Sequence, residues 1–159
     1  MRGDPAGGTT DEGVPVTKAR DIMHTGAQCI GAHQTLAEAA RMMRDKHVGA
    51  LPICGDDQKL KGIITDRDIV LRCIAEGKDP ATMTAIELGG HLHCVRAEDS
   101  MEAVLRKMEQ HQIRRIPVID GDRLVGMISE ADLAMGHREG QRLTDQQIIE
   151  FMDSVYLKH

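Results

Sequence analysis

Residues Gly62–Val70 read GIITDRDIV, and Gly126–Ala134 read GMISEADLA. Each phrase has a glycine, two aliphatic residues and a hydroxyl residue, then an aspartate three positions later, then more aliphatics. The likeness extends outward in both directions. Leu51–Ile69, LPICGDDQKLKGIITDRDI, lies over Ile116–Leu133, IPVIDGDRLVGMISEADL, with one extra residue in the first turn. Upstream, Thr35–Pro52 lies over Ser100–Pro117 without a gap, and QCIGAHQT (Gln28–Thr35) lies over HCVRAEDS (His93–Ser100). ARDIM (Ala19–Met23) resembles AIELG (Ala85–Gly89). Each unit spans roughly sixty residues, so the chain is a tandem duplication and not a solenoid of short repeats.

Both copies predict the same elements. Cys29-Ile30 and Cys94-Val95 are expected to be short strands. A helix follows, opened by Thr35 with Glu38 three residues on, a capping box. Leu36, Ala39, Ala40 and Met43 share its apolar face. In the second copy Ser100 is the cap, and Met101, Val104, Leu105 and Met108 form the stripe. Strands over Ala50–Cys54 and Leu60–Ile64 flank a Gly-Asp turn, as do Ile116–Ile119 and Leu124–Ile128. A second helix starts at Thr65 and at Ser129. Pro52 and Pro117 are expected to mark strand edges. Gly77 ends the first copy's last helix, and Lys78–Ala81 link the copies. The second copy's last helix is expected to stop near Gly136. Beyond it, Thr144 and Gln147 make a capping box for a final helix with the stripe Ile148, Ile149, Phe151, Met152, Val155 and Tyr156.

Hydrophobic residues make up 41% of the 159-residue chain, yet it has one Phe, one Tyr and no Trp. The core must be aliphatic, and base stacking on single-stranded nucleic acid has little to work with. A net charge of −5 argues against a general polyanion surface. There is no apolar run long enough to span a bilayer. The segment MRGDPAGGTTDEGVPV reads as a flexible tail without signal-peptide shape. These features predict a cytoplasmic protein without nucleic-acid or membrane partners.

The doubled β-α-β-β-α order, with aliphatic-Pro-aliphatic on the central strand and G-h-h-[T/S]-x-x-D after the hairpin, resembles a pair of CBS (cystathionine β-synthase) domains, a Bateman module. The likeness covers about residues 17 to 137. It implies an α/β (α+β) fold of two repeats packed about a pseudo-twofold axis, here with a C-terminal helix. The expected division is a tail over 1–16, repeats over 17–78 and 79–138, and a helical extension over 139–159. The resemblance also implies clefts that take AMP, ATP or S-adenosylmethionine in many relatives, a regulatory role without catalysis, and a homodimer.

Two readings of the repeated phrase stand side by side. In one, Thr65-x-x-Asp68 and Ser129-x-x-Asp132 are capping boxes and nothing more. In the other, the helix N-terminus favours a phosphate and the carboxylate accepts both hydroxyls of a ribose. The resemblance implies the second: Asp68 and Asp132 on ribose, Thr65 and Ser129 near phosphate. Arg114 and Arg115 stand where nucleotide-binding relatives often carry a basic pair, and guanidinium suits phosphate. The first copy has Gly49 and Ala50 there, so two unequal clefts are expected, with Arg67 as partial compensation. The competing reading of each arginine is a solvated surface charge.

The default for Cys29, Cys54, Cys73 and Cys94 is buried free thiols in a reducing cytosol. Cys29 starts one strand and Cys54 ends the next, so a disulfide or redox pair is geometrically open to them. His91-x-His93 beside Cys94 is the one local histidine cluster and a weak zinc candidate, with surface histidines the competing reading. No nucleophile–base set, P-loop or G-x-G-x-x-G occurs. The leading expectation is a non-catalytic sensor binding an adenosine-containing ligand and acting on an effector protein in trans. The alternatives are a ligand-free structural dimer and a metal- or redox-responsive protein.

Overall fold

A computed structural model describes residues 17–89, 92–138 and 144–156. The first repeat begins with β1 (Ile30–Gly31) and α2 (Leu36–Lys46), preceded by the short helix α1 (Ala19–Ile22). Thr35 and Glu38 form the expected capping box at α2. Leu36, Ala39 and Met43 are buried, while Ala40 faces solvent. Strands β2 (Ala50–Cys54) and β3 (Leu60–Thr65) then pair antiparallel, and β1 pairs parallel with β2. Helix α3 (Asp66–Ile69) continues as a π-helical turn over Val70–Ile74. Gly77, at φ +70°, closes that segment, and its N–H donates to Ile74 O. Helix α4 (Ala85–Leu88) follows.

The second repeat comprises β4 (Val95–Arg96), α5 (Met101–His111), β5 (Arg115–Asp120), β6 (Arg123–Ser129) and α6 (Glu130–Arg138). Its strands form a second three-stranded sheet in the order β4-β5-β6, matching β1-β2-β3 in the first. Helix α6 runs through Gly136 to Arg138 and does not stop at the glycine. A single glycine costs a helix only about 1 kcal/mol, too little by itself to end it. Helix α7 (Asp145–Tyr156) is capped by Thr144 and Gln147.

Pro52 and Pro117 lie on the middle strand of each sheet, not on an edge strand. In the first sheet β1 pairs only with Ile53 and Cys54, so at Pro52 the strand is partnered by β3 alone. The local position is edge-like even though the strand is central, which is how a missing N–H is tolerated.

Two compact units form. One contains Thr25–Cys94 with Ile119–Gly126. Its core gathers Ile30, Leu36, Met43, Leu51, Ile53, Ile64, Ile69, Cys73, Ala85 and Leu88. Gly89 ends α4 against this core: a Cβ there would stand 2.5 Å from Ile53 Cδ1. The other unit contains Val95–Val118, Met127–His159 and the segment up to His24, for the described residues of each. Here Met101, Val104, Leu105, Met108, Ile116, Val118, Ile128, Leu133 and Phe151 are buried.

Each unit ties the cap of its long helix to the residue that opens a short helix, α4 in one and α1 in the other. Thr35 bridges to Thr84 in one unit, and Lys18 bridges to Ser100 in the other. The ARDIM and AIELG likeness therefore corresponds to two short helices, α1 and α4, in equivalent positions.

Candidate functional site

The two repeated phrases sit where a β-strand ends and a helix begins. In the first, Asp68 Oδ2 accepts from Thr65 N at 3.0 Å and Thr65 Oγ1 at 2.8 Å, while Asp68 N donates to Thr65 Oγ1 at 3.1 Å. In the second, Asp132 Oδ2 accepts from Ser129 N at 2.7 Å and Ser129 Oγ at 2.9 Å, and Asp132 N donates to Ser129 Oγ at 3.3 Å. Both phrases are therefore capping boxes. The same geometry recurs at Thr35–Glu38, Thr84–Glu87 and Thr144–Gln147. Capping alone does not set the repeated phrase apart.

What sets it apart is burial: Asp68 and Asp132 are half-buried, whereas Glu38 and Glu87 are exposed. As at Glu38 and Glu87, both cap bonds to the carboxylate fall on one oxygen, here Oδ2, and Oδ1 takes neither. Asp132 keeps 16% of its side chain exposed and Asp68 keeps 29%. Asp68 Oδ1 lies 3.9 Å from Arg72 Nη1, whose guanidinium also donates to Leu88 O at 2.9 Å. A carboxylate has about four acceptor directions, so holding the cap leaves room for a hydroxyl from a ligand.

The second phrase has further groups around it. His24 Nδ1 lies 2.9 Å from Asp132 Oδ2, and the His24 backbone pairs with Met127. Glu130 N donates to Arg114 O at 3.1 Å. This bond holds Arg114 beside the start of α6. The first copy repeats it, with Asp66 N donating to Gly49 O at 3.0 Å, but Gly49 offers no side chain there. Arg67 is exposed, and its backbone N–H donates to Asp66.

Arg114 does not stand bare in solvent. Its guanidinium carbon is 4.2 Å from the centre of the Tyr156 ring. The Tyr156 hydroxyl donates to the Glu130 carboxylate. That bond raises the phenol's pKa above its usual 10.0, with burial and the Glu130 charge adding, while the charges of Arg114 and Arg115 oppose it. Arg115, the first residue of β5, is half-buried.

The structure thus gathers Ser129, Asp132, Arg114 and Arg115 within one unit and adds His24, Glu130 and Tyr156. Spacing could not reveal His24, because it comes from outside the second repeat. Tyr156 was visible only as one member of an apolar stripe. That stripe is unevenly used: Phe151 is buried, whereas Ile149, Met152 and Tyr156 are exposed.

Cys29 and Cys54 are joined by a disulfide, with Cα atoms 5.6 Å apart. The free-thiol default is corrected for this pair. Cys29 lies just before β1, outside the ladder, and its Cα comes within bridging reach of Cys54 at the end of β2. Cys73 is a buried thiol whose Sγ donates to Lys78 O. His91 lies outside the described residues, and His93 is half-buried. Among the described residues no three His, Cys, Asp or Glu side chains gather as a metal site. An open depression of about 390 Å³ near the disulfide-bearing strands is lined by Ala32, His33, Gly55, Asp56, Asp57, Lys61 and Ile86. It includes none of the predicted site residues. No helix among the described residues is long and apolar enough to cross a membrane.

Two three-stranded sheets, each followed by a helix opened by a hydroxyl–x–x–Asp cap, define a doubled regulatory fold of the CBS type. Residues 19–74 and 89–136 match the CBS domain family, and the chain belongs to it. Proteins of this class are typically regulatory and non-catalytic. The chain is 47% identical over 141 residues to hypoxic response protein 1 of Mycobacterium tuberculosis, covering 88% of this chain and 94% of that protein. A crystal structure of hypoxic response protein I with two coordinated zinc ions superposes with a TM-score of 0.71 at 53% identity, covering 75% of this chain and 98% of that one. A hexameric CBS-CP12 protein from bloom-forming cyanobacteria superposes with a TM-score of 0.68 at 33% identity, covering 85% and 77%.

Proposed function

We propose that this protein is a non-catalytic sensor that binds an adenosine-containing ligand, with AMP and ATP the first candidates and S-adenosylmethionine the third, and acts on an effector protein in trans. The observation that carries this reading is Asp132. Its Oδ2 is committed to Ser129 while Oδ1 takes no cap bond, and Arg114 is anchored one residue from Ser129. In the proposed complex Asp132 receives ribose hydroxyls, Ser129 and the α6 N-terminus face phosphate, and Arg114 and Arg115 neutralise it. Thr65 and Asp68 make the weaker counterpart, with Gly49 in place of a cation and Arg67 the nearest substitute.

Calorimetry with AMP and ATP on wild type and Asp132→Ala tests this. Saturable micromolar binding that the variant loses supports it. No heat with either nucleotide, and a variant changed only in stability, returns the phrase to capping.

Self-association belongs to the same proposal. Val70, Leu71 and Ile74 are 54%, 46% and 53% exposed on the π-helical turn, an apolar face suited to a homodimer. The proposed location is the cytoplasm, with no nucleic-acid or membrane partner.

A second reading has one specific observation behind it. The similar hypoxic response protein I holds two zinc ions. Here His24 with Asp132, and His93 with Cys94 or His91, are the pairs that a metal-responsive protein would use. Metal analysis of the purified chain, with and without chelator, separates this reading from the nucleotide one.

A further inference from the structure

Helix α7 shares a unit with the second phrase and is fixed there by Phe151, whose side chain is 1% exposed. Five residues on, Tyr156 lays its ring on Arg114 and hooks its hydroxyl to Glu130. Glu130 is the residue between Ser129 and the rest of α6. The phenol therefore occupies both neighbours of the hydroxyl–x–x–Asp site at once: the cation expected to meet phosphate, and the helix end expected to receive it.

We propose that α7 is a displaceable cover of the Arg114–Ser129–Asp132 site, with Tyr156 holding the guanidinium that a ligand phosphate would take. This inference rests on the nucleotide reading above. An aromatic face attracts a guanidinium through its quadrupole but leaves the charge uncompensated. Phosphate oxygens offer that same group bidentate, charge-assisted bonds. The phenol, tied to Glu130 at the α6 N-terminus, stands where a phosphate bridging Arg114 and that N-terminus would come, so phosphate binding and α7 docking oppose each other. Glu130 sharpens the competition. While Tyr156 donates to it, its carboxylate has a partner; once the phenol leaves, a bare carboxylate stands beside the arriving anion. The cover thus raises the ligand concentration needed for binding. The linkage is reciprocal, so bound ligand weakens α7 docking to the same degree. Release of α7 would expose Phe151 next to Ile149 and Met152, which are already 52% and 41% exposed. That gives an effector in trans an apolar surface to read.

Tyr156 is the only tyrosine and there is no tryptophan, so tyrosine emission of the full chain reports on α7 alone. AMP is titrated into wild type, Tyr156→Ala and Tyr156→Phe, with binding followed by calorimetry and wild-type emission followed in parallel. The expected result is a rise in emission as the phenol leaves its quenching carboxylate, tracking the binding curve. Tyr156→Ala is expected to tighten AMP about 3- to 5-fold, the size of one cation–π contact. Tyr156→Phe keeps the ring, loses the hook, and falls between. AMP binding seen only in Tyr156→Ala supports the cover in its strongest form. Equal affinity in all three proteins with flat emission overturns the cover and leaves the nucleotide reading standing. Absence of AMP binding in wild type and in a Tyr156→Ala protein shown folded by circular dichroism overturns both together.

Discussion

His24 Nδ1 and Asp132 Oδ2 stand 2.9 Å apart, on the same oxygen that receives the Ser129 backbone N–H and hydroxyl. The carboxylate therefore serves a helix cap and a histidine from a segment more than a hundred positions earlier in the chain. The magnitudes differ. The His24 side chain is 52% exposed, and an exposed pair contributes about 0.2–1 kcal/mol. Removing Asp132 also strips the Ser129 N–H and hydroxyl of their acceptor, and loss of a capping interaction costs about 0.5–2 kcal/mol. Asp132→Ala is expected to destabilise more than His24→Ala in urea unfolding. Equal losses would mean that the histidine, not the cap, is the main reason for the carboxylate.

Tyr156 supplies a pH prediction. Its pKa is raised, first by the hydrogen bond to Glu130. The folded chain then holds the phenolic proton more tightly than the unfolded chain does. Between the unfolded and folded pKa values the unfolded state binds fewer protons, so stability falls as pH rises. The Tyr156 contribution is present below pH 10 and lost as pH climbs through the raised pKa. Ultraviolet titration of the single phenol is expected to show a midpoint above that of free tyrosine, and Glu130→Gln should bring it down. A wild-type midpoint at or below the free value would remove the contact.

The disulfide gives a stability prediction. The bridge closes a separation of 25 residues, and loop-entropy reasoning assigns such a link about 3.5 kcal/mol. A reductant is expected to lower the unfolding midpoint of wild type and leave Cys29→Ser/Cys54→Ser unchanged. Thiol titration in denaturant should count two fewer thiols in oxidised protein than in reduced protein. An identical count in both would show the pair to be thiols.

His47 offers a stabilising change. It ends α2 at φ 54°, in the left-handed region, and Gln112 ends α5 with the same φ of 54°. A non-glycine residue costs about 1–2 kcal/mol there, against about 0.5–1 kcal/mol of extra chain entropy for glycine. His47→Gly is expected to raise stability by about 0.5 kcal/mol or slightly more. Gln112→Gly should gain less, because the Gln112 side chain donates to Glu109 O at 2.8 Å. A loss at His47 would show that its imidazole makes a contact worth more than the strain.

Much of the fold was legible because the chain states it twice. Period and caps located α2 and α5 through Thr35 and Ser100, and the Gly-Asp turns located both hairpins. A helix begins after Thr65 and after Ser129, as the repeated phrase implies. Other features were not legible locally. Pro52 pointed to an edge strand because sequence does not show how short its neighbour β1 is. Gly136 pointed to a helix end, but a glycine's cost of about 1 kcal/mol is too small to decide that by itself. The Cys29–Cys54 bridge depends on a parallel pairing across intervening chain, which no local spacing announces.

The sequence by itself determined the doubled β-α-β-β-α order, the aliphatic core and the hydroxyl–x–x–Asp caps, because periodicity, capping and turn preference act over a few neighbouring residues. Only the tertiary structure decided that His24 would share the Asp132 carboxylate, that Tyr156 would lie on Arg114, and that Cys29 would meet Cys54. Each of those contacts joins residues from different elements. Their positions follow from how the strands pair and how the helices bury Phe151 and its neighbours, and that is a property of the folded chain as a whole.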